Sequence, residues 1–106
     1  MDMGFSEIVQ DKVDYHTPGF YWRSHGRSST IYFAENESIV IIYAEMPGID
    51  HLDILVYGET EFITKRYYPL ENRIETISVE ERFRIQSLLV EWLASKGLRH
   101  DIQIGK

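Results

Sequence analysis

One short stretch of the chain, Asp50-His51-Leu52-Asp53, carries side chains that could hold a metal ion or exchange protons. Carboxylates and imidazoles ligate zinc and act as general acids and bases, and three such groups fall within this stretch. Glu45 and Glu59 lie on the flanking segments and would come near if the strands around them pair. No HExxH or comparable zinc spacing occurs, so solvated loop residues are the simpler interpretation. A small enzyme or metal-binding protein that uses these three side chains is retained as a further alternative.

Other motifs for catalysis or cofactor binding are absent from the sequence. There is no cysteine, which excludes a thiolate zinc site, a cysteine nucleophile and a disulfide scaffold. Ser24-His25 is only an adjacency, and neither a GxSxG elbow nor a glycine-rich phosphate loop is present. We therefore predict a protein that is not an enzyme, with no catalytic residue, no cofactor and no metal.

Two segments alternate aromatic and basic side chains, as platforms for single-stranded nucleic acid do: Phe20-Tyr21-Trp22-Arg23 and Lys65-Arg66-Tyr67-Tyr68. Phosphate contacts supply most of the affinity for nucleic acid, and a chain of net charge −6 repels phosphate. We therefore expect no nucleic-acid partner, and interpret both segments as strands with half-buried rings.

The negative charge is concentrated between Ser28 and Thr64, where no Lys or Arg occurs. Such a one-signed region can attract a basic partner, and carboxylates at turns and edges also keep a sheet soluble and block edge-to-edge pairing. The sequence leaves both interpretations open. Seven acidic residues make up the region: Glu35, Glu37, Glu45, Asp50, Asp53, Glu59 and Glu61.

Alternating and apolar runs predict a series of strands. Turn residues separate them at His25-Gly26-Arg27, at Glu35-Asn36-Glu37 and at Met46-Pro47-Gly48-Ile49, where Pro and Gly predict a type II turn. The predicted strands are Phe20 to Ser24, Thr30 to Ala34, Ser38 to Glu45, Asp53 to Tyr57, Glu61 to Tyr68 and Leu98 to Ile104.

A long helix is predicted from the capping box Ser78-Val79-Glu80-Glu81 to a stop at Lys96-Gly97-Leu98. Ile85, Leu89 and Leu93 lie on one stripe of a broad apolar surface, so the helix should lie across the sheet. The fold class predicted is α+β: a mainly antiparallel sheet of five to six strands with one long C-terminal helix packed on one face.

The central strands contain consecutive apolar residues, Ile39 to Tyr43 and Ile54 to Tyr57, which is typical of strands that are covered on both faces. Only one strong helix is available. The second face must be closed by residues 1–18, by aromatic side chains of the sheet or by another chain. The sequence does not decide whether residues 1–18 form a helix or an extended arm.

We expect residues 1–106 to form a single domain, because the length and the 43% hydrophobic content suit one core. No secretory signal and no apolar run of roughly 20 residues is visible. A cytoplasmic location and no membrane partner are therefore expected.

A further indication of function comes from three strand segments and one helix start. These are Ile31 to Glu37, Ile41 to Met46, Asp53 to Tyr57 and the helix start at Ile77 to Glu81. With Lys96-Gly97-Leu98 they resemble small bacterial immunity proteins of polymorphic or contact-dependent toxin systems. The resemblance implies a non-enzymatic protein that binds and neutralises a cognate toxin. No site residue can be assigned from the resemblance, because such families share no catalytic motif.

The function predicted is protein binding through the acidic region, with a partner of basic surface such as a toxin. The alternative is a structural or assembly protein that self-associates, for example as a homodimer, through an apolar sheet face. The partner-binding residues hypothesised for charge steering are Glu35, Glu37, Asp50, Asp53, Glu59 and Glu61, and the aromatic anchors, if they face outward, are Tyr32, Tyr43 and Tyr57.

Overall fold

The structure is a computed structural model that describes residues 3–106. Its elements are a short N-terminal helix, six strands, two single-turn 3-10 helices and a long helix near the C-terminus. Their bounds are α1 Gly4–Gln10, β1 Gly19–His25, β2 Ser28–Glu35, β3 Ser38–Glu45, β4 Leu55–Val56, a 3-10 turn Thr60–Phe62, β5 Lys65–Tyr68, a second 3-10 turn Pro69–Glu71, β6 Arg73–Thr76 and α2 Val79–Ser95.

The strands form one antiparallel sheet in the order β1-β2-β3-β5-β6, and β4 pairs with the end of β3. Two-residue turns join the first three strands. Gly26 (φ 84°) opens the first turn, and Asn36 (φ 52°) and Glu37 (φ 60°) form the second. Positive φ at these positions matches the primed turns that suit the twist of a hairpin. The predicted α+β class, with a sheet of five to six strands and a C-terminal helix, is confirmed.

One face of the sheet packs against α2. Ile85, Leu89 and Leu93 of the helix are fully buried against apolar side chains of the sheet such as Ile31 and Ile42. Phe20 of β1 extends this layer by stacking on Trp92 at 5.3 Å between ring centroids. The apolar stripe of the sequence therefore lies where its periodicity predicts.

The other face is covered by the N-terminal segment, which we define as residues 4–17. Ile8 and Val13 are buried there against Tyr32 and Ile41, and the ring of Phe5 meets Tyr67 edge-on at 5.2 Å. The segment thus begins as a helix and not as an extended arm. It closes the apolar face that the sequence left without a covering element.

Both ends of α2 have side-chain or backbone caps. Ser78 Oγ accepts a hydrogen bond from the Glu81 amide at 3.4 Å, but the Glu81 carboxylate does not reach back to Ser78, because it pairs with Arg84. At the other end, Gly97 has φ 68°, and Leu98 N donates to Leu93 O at 3.0 Å, as in a Schellman motif.

Several predicted boundaries were wrong in the second half of the chain. The strand predicted over Glu61 to Tyr68 is a 3-10 turn followed by the shorter β5, and β6 follows where no strand was expected. The strand predicted over Asp53 to Tyr57 is reduced to Leu55–Val56. Gly48 does not have the positive φ that a type II turn requires there.

The predicted last strand, Leu98 to Ile104, is also absent; only His100 bridges to Ile54. The tail is held instead by hydrogen bonds to several elements. From α2, the buried Gln86 side chain accepts from Gly105 N and donates to Gly58 O, both at 2.9 Å. Asp101 Oδ1 accepts from Val56 N at 2.8 Å, and Lys106 O accepts from Thr60 N at 2.7 Å. Alternation of apolar residues in the tail therefore reflects burial of Ile102 and not strand pairing. No helix within residues 3–106 is long and apolar enough to cross a membrane.

Candidate functional site

Three carboxylates from two separate parts of the chain converge at one end of the sheet. Glu7 lies on α1, Asp11 follows that helix, and Glu45 ends β3. With side chains of β1, β2 and the segment after β4 they line a pocket of about 410 Å³, which we call the acidic pocket. Its lining residues are Glu7, Gln10, Asp11, His25, Ser28, Ser29, Thr30, Tyr43, Ala44, Glu45 and Tyr57.

Asp11 has a largely enclosed side chain, which is 10% exposed. It accepts a hydrogen bond from the Tyr32 hydroxyl at 2.5 Å and lies 3.1 Å from Nε2 of His25. Burial raises the pKa of the Tyr32 phenol, and the hydrogen bond to Asp11 raises it further. Tyr32 therefore remains a protonated donor that fixes Asp11 in the floor of the pocket.

The other two carboxylates lie beside exposed tyrosines. The Tyr43 hydroxyl donates to Glu7 Oε2 at 2.8 Å. The charge of Glu45 raises the pKa of the Tyr57 phenol, and burial and a hydrogen bond to Glu45 raise it further. Tyr43 is 48% exposed and Tyr57 is 40% exposed, so both rings present surface at the mouth of the pocket.

The charges of the acidic pocket are unbalanced. Among residues 3–106, none of its lining residues is Lys or Arg, and the imidazole of His25 is the one lining side chain that can become cationic. Carboxylates on low-dielectric walls focus the local potential and attract cations, and tyrosine faces also favour cations. The geometry therefore suits a guanidinium or an ammonium group.

Glu35, by contrast, is neutralised within the fold. Its carboxylate accepts from Arg84 Nη1 at 3.0 Å and Nη2 at 2.5 Å, and Arg66 lies 3.5 Å away. Glu81 completes the cluster, since Arg84 Nε bonds it at 2.9 Å. The hydrogen bonds from Arg84 lower the pKa of Glu81. The cluster ties the β2–β3 turn and β5 to the start of α2, which is a structural role for Glu35.

Three more acidic residues of the predicted set also have partners within the chain. Glu37 Oε2 lies 2.5 Å from His16 Nδ1, which ties the β2–β3 turn to the N-terminal segment. Glu59 Oε1 accepts from Gln103 N at 3.1 Å. Asp53 accepts from the backbone and guanidinium of Arg99 at 2.8 to 3.0 Å.

The ion pair of Asp53 gives a testable dependence of stability on pH. Hydrogen bonds from Arg99 lower the pKa of Asp53 to about 2, below the value of about 3.9 for an unfolded chain. Because the folded state lowers this pKa, the stabilisation is complete above about pH 4 and is lost as the pH falls towards about 2. We expect Asp53→Asn to be less stable than the wild type at neutral pH and to converge with it in acid.

Urea unfolding at a series of pH values measures this difference. Asp50→Asn is the matched control, because the Asp50 carboxylate makes no hydrogen bond or ion pair with the other described residues. A difference between wild type and Asp53→Asn that stays constant from neutral pH to about pH 2 would contradict the prediction.

The remaining acidic residues of the predicted set, Asp50 and Glu61, are exposed, and so is His51. Glu61 likewise makes no ion pair within the described range. Residues 3–106 contain no group of three or more His, Asp or Glu side chains arranged to hold a metal ion. The Asp50, His51 and Asp53 cluster is therefore not assembled as a metal site in this part of the chain.

The three predicted tyrosine anchors fall into two classes. Tyr32 is fully buried beneath the N-terminal segment, so it does not meet the condition of facing outward on which its role as an anchor depended. The reason is that its strand is covered on both faces, which strand alternation alone cannot reveal. Tyr43 and Tyr57 do face outward, and both lie at the acidic pocket.

Sequence reasoning missed Glu7, Asp11 and His25 as members of this site. Glu7 and Asp11 are four residues apart, a spacing that places two side chains on one face of a helix. This spacing is visible in the sequence of residues 4–11. It indicates a shared site only once the helix is known to dock beside Glu45.

Comparisons with known proteins returned no similarity. No protein-family model matches the chain, no curated protein matches its sequence, and no solved structure matches its fold.

Proposed function

We propose that this protein is a non-enzymatic binding protein that takes up a basic side chain of a protein partner in the acidic pocket. The observation that carries the proposal is the convergence of Glu7, Asp11 and Glu45 around a space of about 410 Å³ with no lining Lys or Arg. Tyr43 and Tyr57 supply exposed rings at the mouth of the same pocket. Aromatic anchors beside complementary charge are typical of the sites that dominate binding energy at protein interfaces.

The charge distribution supports this site over the wider acidic region. Glu35 and Asp53 are paired with arginines, so these two carboxylates contribute little net field. Glu45 belongs to the acidic region of the sequence, but Glu7 and Asp11 do not. The proposed binding residues are therefore Glu7, Asp11, Glu45 and the two exposed tyrosines.

The proposed biological role is that of an immunity protein that neutralises a basic toxin. The resemblance of the strand and helix-start patterns to small bacterial immunity proteins supports this class of partner. A pocket that receives one Lys or Arg gives such a protein a specific contact, while its net charge of −6 accelerates encounter.

The test is titration of the product of the neighbouring gene against a variant in which Glu7 and Glu45 are both replaced by Gln. We expect the dissociation constant to rise at least about tenfold, because the carboxylate–cation pairs are lost while side-chain size is kept. We also expect the affinity of the wild type to fall with rising salt.

A double variant Asp50→Asn with Glu61→Gln is the matched control. It removes the same amount of charge at two exposed carboxylates that have no partner among residues 3–106 and lie outside the pocket. Equal affinities for the two double variants would reject the pocket as the binding site. Binding without any salt dependence would reject the electrostatic basis.

The alternative of self-association through an apolar sheet face is not favoured by this arrangement. The face opposite α2 is covered by the N-terminal segment, with Ile8 and Val13 each less than a tenth exposed. No large apolar sheet face is therefore left to a second copy in the described part of the chain.

A further inference from the structure

The strand β1 lies at an open edge of the sheet. It pairs with β2 over all seven of its residues and with no other strand, and no backbone hydrogen bond joins it to another element of residues 3–106. The opposite edge is less accessible to pairing, because β6 has four residues and alternates the charged side chains of Arg73 and Glu75. The two edges therefore differ in their capacity to accept another strand.

The turn after β1 determines which backbone groups point outward. His25 pairs with Ser28 across a two-residue turn, and residues that flank such a turn form a hydrogen-bonded pair. Going back along β1 from His25, every second residue forms its backbone hydrogen bonds with β2. The amides and carbonyls of the residues in between, Phe20, Trp22 and Ser24, therefore face the open side. The hydrogen bond described for the Trp22 carbonyl oxygen agrees with this assignment, because its donor is the side-chain atom Nη1 of Arg23, at 3.3 Å.

Most of the usual devices that protect an edge are missing from β1. No proline, lysine or bulge interrupts its continuous seven-residue register. Arg23 is the one charged residue of the strand apart from His25, and its bond to Trp22 O is long enough to leave that carbonyl able to accept another. Trp22, at the centre, is 39% exposed.

The outward groups of β1 are complementary to themselves. When two copies meet antiparallel about a two-fold axis at Trp22, each of Phe20, Trp22 and Ser24 falls opposite an outward-facing residue of the other copy. Antiparallel pairs of this kind exchange both hydrogen bonds, so every outward amide and carbonyl finds a partner. Arg23 then falls opposite Tyr21 of the second copy, and no like charges face each other.

We infer that β1 joins β1 of a second copy of this chain across a two-fold axis at Trp22, which produces a dimer with one continuous sheet. The interface is isologous, as in most soluble dimers. It uses the open edge of the sheet, so the apolar core is unchanged.

The test compares Ser24→Pro with Ser24→Ala by sedimentation from about 1 µM to about 1 mM. The Ser24 amide faces outward, so proline removes no bond to β2, while it removes one bond of the dimer interface in each copy. We expect the wild type and Ser24→Ala to change from monomer to dimer as the concentration rises. We expect the dimer of Ser24→Pro to have a dissociation constant about 30-fold higher.

A second variant and a second readout keep the inference testable if proline perturbs the strand. Trp22→Glu places like charges opposite each other on the axis and should prevent association. In a Trp92→Phe background Trp22 is the sole tryptophan, so its emission should shift to shorter wavelength as the dimer forms. A wild type that stays monomeric throughout this range, or equal association of the Ser24→Pro and Ser24→Ala variants, would overturn the inference.

Discussion

Replacement of Gly4 by alanine is expected to lower the free energy of unfolding by about 1 to 3 kcal/mol, although alanine is the better helix former. A Cβ atom at Gly4 would lie 2.4 Å from Tyr67 Cζ and 2.5 Å from its Cε1. Tyr67 is 7% exposed and already meets Phe5, so its ring has little room to move. The helix α1 must then shift away from the sheet and loosen the cover over this face.

Tertiary packing and local helix propensity change the free energy of unfolding of Gly4→Ala in opposite directions, so the variant distinguishes the two effects. Ser6→Ala is the matched control: Ser6 is exposed on the same helix, and alanine there should be neutral or stabilising by up to about 0.5 kcal/mol. Unfolding of both variants in guanidinium chloride measures the difference in their free energies of unfolding. A Gly4→Ala variant as stable as Ser6→Ala would contradict the docking of α1 against Tyr67.

Replacement of Gln86 by leucine is expected to cost about 2 to 4 kcal/mol, although it adds an apolar side chain to a buried position. Gln86 is 2% exposed, and its amide bonds both Gly58 O and Gly105 N at 2.9 Å. Leucine leaves the buried Gly58 carbonyl without a partner and releases the tail from α2. Unfolding in urea measures the loss.

Amide exchange near Gly105 provides the accompanying local measurement, since release of the tail should increase the exchange rate there. Ser87→Leu is the control, because Ser87 is the adjacent exposed residue and makes none of these contacts. If both leucine variants were equally stable, Gln86 would not be the link between α2 and the tail.

Local patterns predicted the strongest elements well. β3 has the predicted bounds Ser38–Glu45, and α2 begins after Ser78 and ends before Gly97 as its caps indicate. These signals are strong because they come from backbone rules and periodicity within one segment. Prediction was poor from residue 53 to residue 76, where short strands and 3-10 turns depend on partners distant in sequence.

The candidate site was predicted only in part. Tyr43 and Tyr57 were hypothesised as anchors on condition that they face outward, and Glu45 was placed in the acidic region but not among the charge-steering residues. The acidic region does not act as one surface. Arg84 and Arg99 neutralise two of its carboxylates from positions 46 to 49 residues away. A charge count along the chain cannot detect such pairings, because side-chain partners are chosen by the folded geometry.

The sequence by itself determined the α+β class, the central strands, the long capped helix and the absence of cysteine chemistry, because each follows from composition or from spacing within a segment. Only the tertiary structure decided that residues 4–17 cover the second face and that Glu7 and Asp11 join Glu45. Those outcomes depend on docking between segments distant in the chain, where apolar burial brings α1 onto the sheet and carries its carboxylates with it. The same docking placed Tyr32 in the core and left Tyr43 and Tyr57 at the mouth of the acidic pocket.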